Sequence, residues 1–313
     1  MQKLFYFELH IIMNQHRKIK KPNQIKNPTF MKFIKFLLIA ALFAQTVKCQ
    51  EIDCISHRSK RMLIYKEYTC NKQFLYEAHN INNIFIQSKA GELKVGTTPE
   101  DNIKISAEIV VTATRQKKAE DFINKDLLFD LTEENNSFEC KYHFGKSEGR
   151  HLPMKHLIKF LSVPAYKVNL TVYVPENKNL KIKDYSGNIS LSDIHGNVDI
   201  SDESGDITIQ NLHGSLILND GSGNIFLSNI VASDNDSYNK IKITDGSGNI
   251  TGRKITGNTI LSDGSGDINI NNYTGNMNIN DNAGNIHISD VTGTVAVDSD
   301  GSGNKFISYN EMK

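Results

Sequence analysis

Residues 262–270 read SDGSGDINI, with glycine, serine and aspartate crowded against alternating isoleucines. Close variants recur as NDGSGNIFL at 219–227, TDGSGNITG at 244–252 and NDNAGNIHI at 280–288. The stretch is one unit of a repeat, and the repeat decides the fold. Working outward, a glycine falls every nine residues from Gly187 to Gly223 and again from Gly248 to Gly293. Alternate units differ, because an Asp-x-Ser/Ala-Gly version recurs at Asp184, Asp202, Asp220, Asp245, Asp263, Asp281 and Asp300. The period is therefore eighteen residues. A longer interval of 25 residues, from Asp220 to Asp245, holds a seven-residue insertion within VASDNDSYNK, residues 231–240.

Within each unit the residues two and four after the glycine are apolar, as in Ile189 and Leu191, Ile207 and Ile209, or Ile268 and Ile270. This is the period of a β-strand. Strands this short cannot fold alone, but stacked coils share one narrow core. The repeat predicts an all-β chain, a single-stranded parallel β-helix or solenoid with coils of about 18 residues. A third apolar row, at Ile194, Leu212, Ile230, Ile255, Tyr273 and Val291, closes the core. Glycine density follows from the sharp corners, where glycine reaches backbone angles closed to other residues and Asp or Ser caps free N–H groups. The pattern breaks at Gly252, read as a local bulge, and at Lys305, read as the end of the stack.

Upstream, NIFIQSKAGELKVG, NIKISAEIVVTAT, SFECKYHFG and YKVNLTVYVP also read as strands, of broader first coils. Between them QKKAEDFINKDLLFDL places Ala119, Phe122, Ile123 and Leu127 on one helical face, the pattern of a short amphipathic helix capping an open end of the stack. The predicted organisation is an unstructured extension over 1–30, a signal peptide over 31–49, a Cys-containing segment over 50–79, broad coils and capping helix over 80–183, regular repeats over 184–307 and a tail over 308–313. Across roughly residues 80–307, IQSKAGELKV, the helical AEDF, the transition VNLTVYVPENKNLKIKDYSGNISL and the SGxI repeats resemble the bacterial putative-adhesin family. That resemblance implies a β-solenoid in exported or membrane-anchored envelope proteins. It implies no catalytic residues.

MKFIKFLLIAALFAQTVKCQ, from Met31, has a basic start, an apolar run from Phe36 to Ala44 and polar residues after it. This is a signal-peptide pattern, too short to span a bilayer. It predicts export, to a periplasm, a cell surface or the medium, with cleavage after Cys49 or Ala44. In an exported chain a Cys54–Cys70 bridge is the natural pair, with Cys140 left over. Residues 1–180 carry 28 Lys/Arg against 18 Asp/Glu, whereas 181–313 carry 8 against 17. Much of the positive charge lies in the first 48 residues, so removing them leaves an acidic chain. Nucleic acid is then an unsuited partner.

The aspartate row invites a calcium reading, since Gly/Asp nonapeptides bind Ca²⁺ in β-rolls. Those repeats need Asp two residues after the last glycine, where this chain has Ile189, Ile207, Ile225, Ile250, Ile268 and Ile286. The row is read instead as structural corner capping beside a ladder of Asn188, Asp206, Asn224, Asn249, Asp267 and Asn285, with no metal and no cofactor. A polysaccharide lyase or hydrolase is the enzymatic alternative. From Asp184 to Asn304, however, the only aromatics are Tyr185, Phe226, Tyr238 and Tyr273, few platforms for sugar rings. His195 and His213 occupy equivalent corners and should stack about 5 Å apart. The insertion offers Asp234, Asp236 and Tyr238 as a candidate binding edge, because loops added to a solenoid project from it. The reading is of a non-enzymatic, adhesin-like or scaffolding envelope protein whose partner is an envelope or host-surface protein or glycan.

Overall fold

The structure, a computed structural model, describes residues 48–51, 55–57, 65–144, 165–232 and 241–310. The signal segment as far as Val47, Cys54 and the insertion residues Asp234, Asp236 and Tyr238 lie outside the described residues.

The chain begins with antiparallel pairing. Strands β1 (Lys48–Glu51) and β2 (Ile55–His57) both pair with β3 (Lys66–Glu77). Along β3 the residues Tyr68, Cys70, Phe74 and Tyr76 alternate inward. Strands β4 (Asn83–Gln87), β5 (Leu93–Thr98) and β6 (Asn102–Ala113) follow. A six-residue helix α1 (Gln116–Asp121) runs on into a π-helical turn, Phe122–Asp126. Then come β7 (Leu127–Glu134), β8 (Ser137–Phe144) and β9 (Ala165–Pro175). β6 pairs antiparallel with β3 along its whole length and with β9 on its other side. β7 and β8 form a hairpin turned at Asn135 and Asn136, both at positive φ, the geometry that favours Asn at both centres of a tight hairpin turn.

This first section is therefore not a set of broad parallel coils, as the sequence suggested. Its long strands run back on one another, and only β4–β8 and β5–β9 pair in parallel. Those pairs carry the register of the repeats, because β4 and β5 also template β10 (Asn179–Asp184) and β11 (Ile189–His195) in parallel. Ala119, Phe122 and Ile123 are buried on the helical turns as their spacing predicts, whereas Leu127, also buried, begins β7, so the helix stops short of the LLFDL run that the sequence pattern assigned to it. The Phe122 ring lies 5.5 Å from Tyr166, and Lys72 of β3 donates to the Ile123 carbonyl at 3.2 Å. The helix thus covers the inner face of the β3–β6–β9 sheet. Cys70 is disulfide-bonded. Cys140 is a buried free thiol, and burial, with the nearby Glu139 charge, pushes its pKa to about 12. It is not a nucleophile at neutral pH.

From β11 as far as Asp263, seven-residue and five-residue arms alternate. The short arms are β12 (Val198–Asp202), β14 (Leu216–Asp220), β16 (Ile241–Asp245) and β18 (Thr259–Asp263); the long arms are β13 (Ile207–His213), β15 (Ile225–Val231) and β17 (Ile250–Thr256). In β19 (Ile268–Asp281) and β20 (Ile286–Asp300) the two arms merge, and β21 (Lys305–Tyr309) closes the stack. Every coil pairs in parallel with the one before it. Across the insertion Leu216 pairs with Ile241 and Asp220 with Asp245, so the seven extra residues leave the ladder intact.

The long arm contains a device that the apolar pattern left unexplained. Inward residues fall two and four after the glycine and then seven after it, a change from even to odd. The change is made by one residue at positive φ in each arm: Asp193, Asn211, Asn229, Lys254, Asn272 and Asp290. A single left-handed residue turns the strand so that Ile194, Leu212 and their equivalents point back inside. Asn and Asp tolerate that conformation best; Lys254 is the exception.

Gly252 sits in register between Leu227 and Ile270, with no bulge. The room its missing side chain leaves is taken by Ile255, whose Cδ1 would lie 2.6 Å from a Cβ there. The bulge comes later, between Ile279 and Asn280, where β20 gains the residue that makes the interval from Asp281 to Asp300 nineteen. Lys305 is exposed opposite Ile286, in the last strand.

Candidate functional site

The most unusual chemistry in the coils is the aspartate row. Asp184, Asp202, Asp220, Asp245 and Asp263 each end a short arm, one strand period after the last inward Ile or Leu. The parallel register therefore sets Asp184, Asp202, Asp220, Asp245, Asp263 and Asp281 directly above one another, about 4.8 Å apart, with Asp300 paired to Asp281. The row reads as corner capping in the sequence; the six from Asp184 to Asp281 also point inward and are at most 6% exposed.

One oxygen of each is used. Oδ1 of Asp202, Asp220, Asp245, Asp263 and Asp281 accepts the backbone N–H two residues on, at 3.0–3.2 Å, holding the corner. Oδ2 of Asp184, Asp202, Asp220, Asp245 and Asp263 has no hydrogen-bond partner. Ser88 stands beside Asp184, but its hydroxyl makes no hydrogen bond of ordinary geometry. A row of stacked carboxylates cannot all stay ionised away from water. Burial, then the charges of Asp184 and Asp220, raise Asp202 to about 7. Burial, then Asp245 and Asp281, raise Asp263 to about 7. Asp245 is raised to about 6 by burial and Asp220, and burial raises Asp184 and Asp220 as well.

Outside this row, ladders tie coil to coil. Oδ1 of Asn188, Asp206, Asn224, Asn249, Asp267 and Asn285 each accepts the backbone N–H of the equivalent residue one coil on, at 2.8–3.1 Å. A second ladder runs through Asp193, Asn211 and Asn229, Nδ2 to Oδ1 at 2.7 and 2.9 Å. The sequence held its signal, Asn or Asp six residues after alternate glycines. Asn249→Ala removes one rung and is expected to cost about 1 kcal/mol, read as a small fall in the thermal midpoint.

The remaining candidates do not converge. His195 and His213 are in register with ring centroids 5.2 Å apart, and no third ligand joins them. Among the described residues no group of three His, Cys, Asp or Glu is arranged to hold a metal. Where a calcium β-roll has its aspartate, Ile189, Ile207, Ile225, Ile250, Ile268 and Ile286 are buried core. No helix among the described residues is long and apolar enough to cross a membrane.

Fold and row define a parallel β-solenoid of eighteen-residue coils with an internal carboxylate stack. The family model described as Toastrack DUF4097 matches residues 81–311, and the chain belongs to that family. No curated protein matches it. Among solved structures, a "putative adhesin" from Parabacteroides merdae is similar at 14% identity and a TM-score of 0.38, over 78% of this chain and 96% of that one. A "putative cell adhesion protein" from Clostridium sporogenes is similar at 10% identity and a TM-score of 0.33, over 77% and 99%. A "putative lipid binding protein" from Parabacteroides distasonis is similar at 11% and 0.30, over 75% and 96%.

Proposed function

We propose that the protein is exported and acts without catalysis, as an adhesin-like or scaffolding element of a cell envelope that presents its inserted edge to a partner. The observation that carries this reading is the unbroken pairing across the insertion, Leu216 with Ile241 through Asp220 with Asp245. Seven residues have been added at one corner without disturbing the core, so that edge is free to vary for recognition while the coils hold it in place. Asp234, Asp236 and Tyr238 are its recognition residues. Export agrees with the signal-like segment from Met31 and with the disulfide at Cys70. β1 starts at Lys48, so cleavage after Ala44 keeps the whole strand and cleavage after Cys49 removes half of it. The former is the cut we favour.

The test incubates the exported protein with envelope and host-surface polysaccharides and proteins, measuring retention and new reducing or unsaturated ends together. Retention without turnover, lost when the insertion is shortened to the eighteen-residue period, is the expected result. Turnover of any glycan, abolished by one carboxylate substitution, overturns the non-catalytic reading.

A further inference from the structure

At the broad end of the chain the outward faces of β3, β6, β9 and β5 form a surface with no counterpart in the repeats. Their registers align side chains in ranks across all four strands. Asn71 faces Glu108, which faces Asn169, and Asn169 accepts the Glu92 backbone N–H at 3.0 Å. In the next rank Gln73, Ser106, Thr171 and Lys94 stand side by side. These two ranks line a depression of about 180 Å³. That is smaller than the roughly 300–1,000 Å³ of a pocket that engulfs a drug-sized ligand, and suits one ring of a larger molecule.

The third rank, one strand period further along and outside the lining of the depression, carries an aromatic side chain. Tyr173 lies between Lys104 and Gly96, outward on the same face of β9 as Asn169 and Thr171, and is 46% exposed. Because Gly96 has no side chain, the Tyr173 ring reaches across its strand, 3.4 Å from where a Cβ would stand. A ring that only covered a glycine would account for that contact, but not for the polar depression beside it.

The groups in the depression suit hydroxyls. Asn169 is fixed at both ends, since its Nδ2 also donates to Glu108 at 2.7 Å. A ligand therefore meets an amide and a carboxylate already oriented. Asn71, Gln73, Ser106 and Thr171 make no side-chain hydrogen bond to any described residue and are free to give and accept. Charge is close to balanced: Lys94 pairs with Glu92 at 3.1 Å, and the Lys72 ammonium is turned to the inner face, on the Ile123 carbonyl. A phosphate or polyanion would meet the Glu92 and Glu108 carboxylates without a cluster of cations to offset them. An oligosaccharide offers the vicinal hydroxyls of one ring to a fixed amide and carboxylate, and the apolar C–H face of the next ring to a tyrosine.

We propose that this depression is a binding site for one ring of a neutral oligosaccharide, with hydroxyls of that ring on Glu108, Asn169 and Gln73 and the face of an adjoining ring against Tyr173. It is independent of the inserted edge and of the adhesin-like reading, since a glycan-binding face serves any exported role.

The test titrates the exported protein with maltohexaose, cellohexaose, mannohexaose and chitohexaose, by calorimetry and saturation-transfer NMR. At least one should bind in the millimolar range or tighter, with saturation on ring protons. Tyr173→Ala should weaken it about tenfold and Glu108→Gln by a similar factor, while Tyr173→Phe leaves it nearly unchanged. All three sites are at the surface, so unchanged circular dichroism checks the fold. Shortening the insertion should leave this binding intact. Failure of all four sugars at millimolar concentration overturns the proposal, as does binding indifferent to both Tyr173→Ala and Glu108→Gln. Binding lost only on shortening the insertion also overturns it, while leaving the adhesin-like reading standing.

Discussion

Gly266→Ala is expected to break the stack of coils rather than weaken it. Gly266 has φ +143°, a conformation that an L-residue adopts only under strain, and a Cβ there would stand 1.7 Å from the carbonyl oxygen of Gly248 in the coil before it. The overlap is with backbone, so no rotamer relieves it. Nor can the corner move away cheaply. The Gly266 N–H donates to Ala283 at 2.9 Å and the Gly248 N–H to Ser265 at 2.9 Å, locking three successive coils together. Gly248 and Gly284 stand in the same relation to their own predecessors, each with a Cβ position 1.7 Å from a glycine carbonyl. The column is close-packed because every member lacks a side chain. Relief requires separating two coils and losing ladder bonds on both arms, beyond the about 4–5 kcal/mol that marks an exceptional substitution.

Because a solenoid is stabilised by nearest neighbours, the damage should be local in sequence. Limited proteolysis of Gly266→Ala is expected to digest the C-terminal coils and spare a core ending near Gly248, with the thermal midpoint lowered by ten degrees or more. Gly252→Ala is the control, since a Cβ there meets side chains only, the Cδ1 end of Ile255 and Cγ1 of Ile270, and no backbone. A midpoint for Gly266→Ala within a few degrees of the parent would sink the argument.

The coils were legible because everything that defines them is local: a glycine at each corner, apolar residues at a period of two, and an interval that counts the coil. Tyr68, Phe74 and Tyr76 alternate just as plainly. Yet β3 was not separated from the cysteine segment around it, because its partner is β6, far along the chain and antiparallel, and no repeat announces such pairing. The aspartates show a second limit. Asp beside Gly and Ser reads as a corner cap, and Oδ1 of Asp263 does hold the Ser265 N–H. Its burial comes from the neighbouring coils, which set an identical residue above and below it, and one coil of sequence cannot display that. The depression beside Tyr173 is more hidden still, since its ranks draw on β3, β5, β6 and β9 and exist only once those strands are side by side.

Thermal stability is expected to fall as pH rises from 5 to 8, opposite to the usual behaviour of a protein held by ionised carboxylates. In the folded chain Asp202 and Asp263 titrate near 7 and Asp245 near 6. In the unfolded chain each returns to about 3.9. The folded state therefore binds protons more tightly than the unfolded one. Its extra stability is complete below the unfolded value, drains away between about 4 and 7, and is gone above the folded values. Surface carboxylates act the other way: hydrogen bonds from Lys104 and Lys125 lower Glu100 and Asp121. Those groups are exposed and contribute little. The row is stacked, so its members titrate together: a protonated Asp245 relieves Asp263 of one neighbouring charge. Replacing Asp202, Asp245 and Asp263 together by asparagine removes the protons from the account while keeping an oxygen to accept each corner N–H. The triple variant should melt higher than the parent at pH 8, by several degrees, and show a nearly flat profile between pH 5 and 8. A parent whose midpoint climbs steadily from pH 5 to 8 would refute proton sharing in the row. A parent whose midpoint at pH 8 drops sharply on adding a chelator would show that cations, rather than protons, neutralise the buried oxygens.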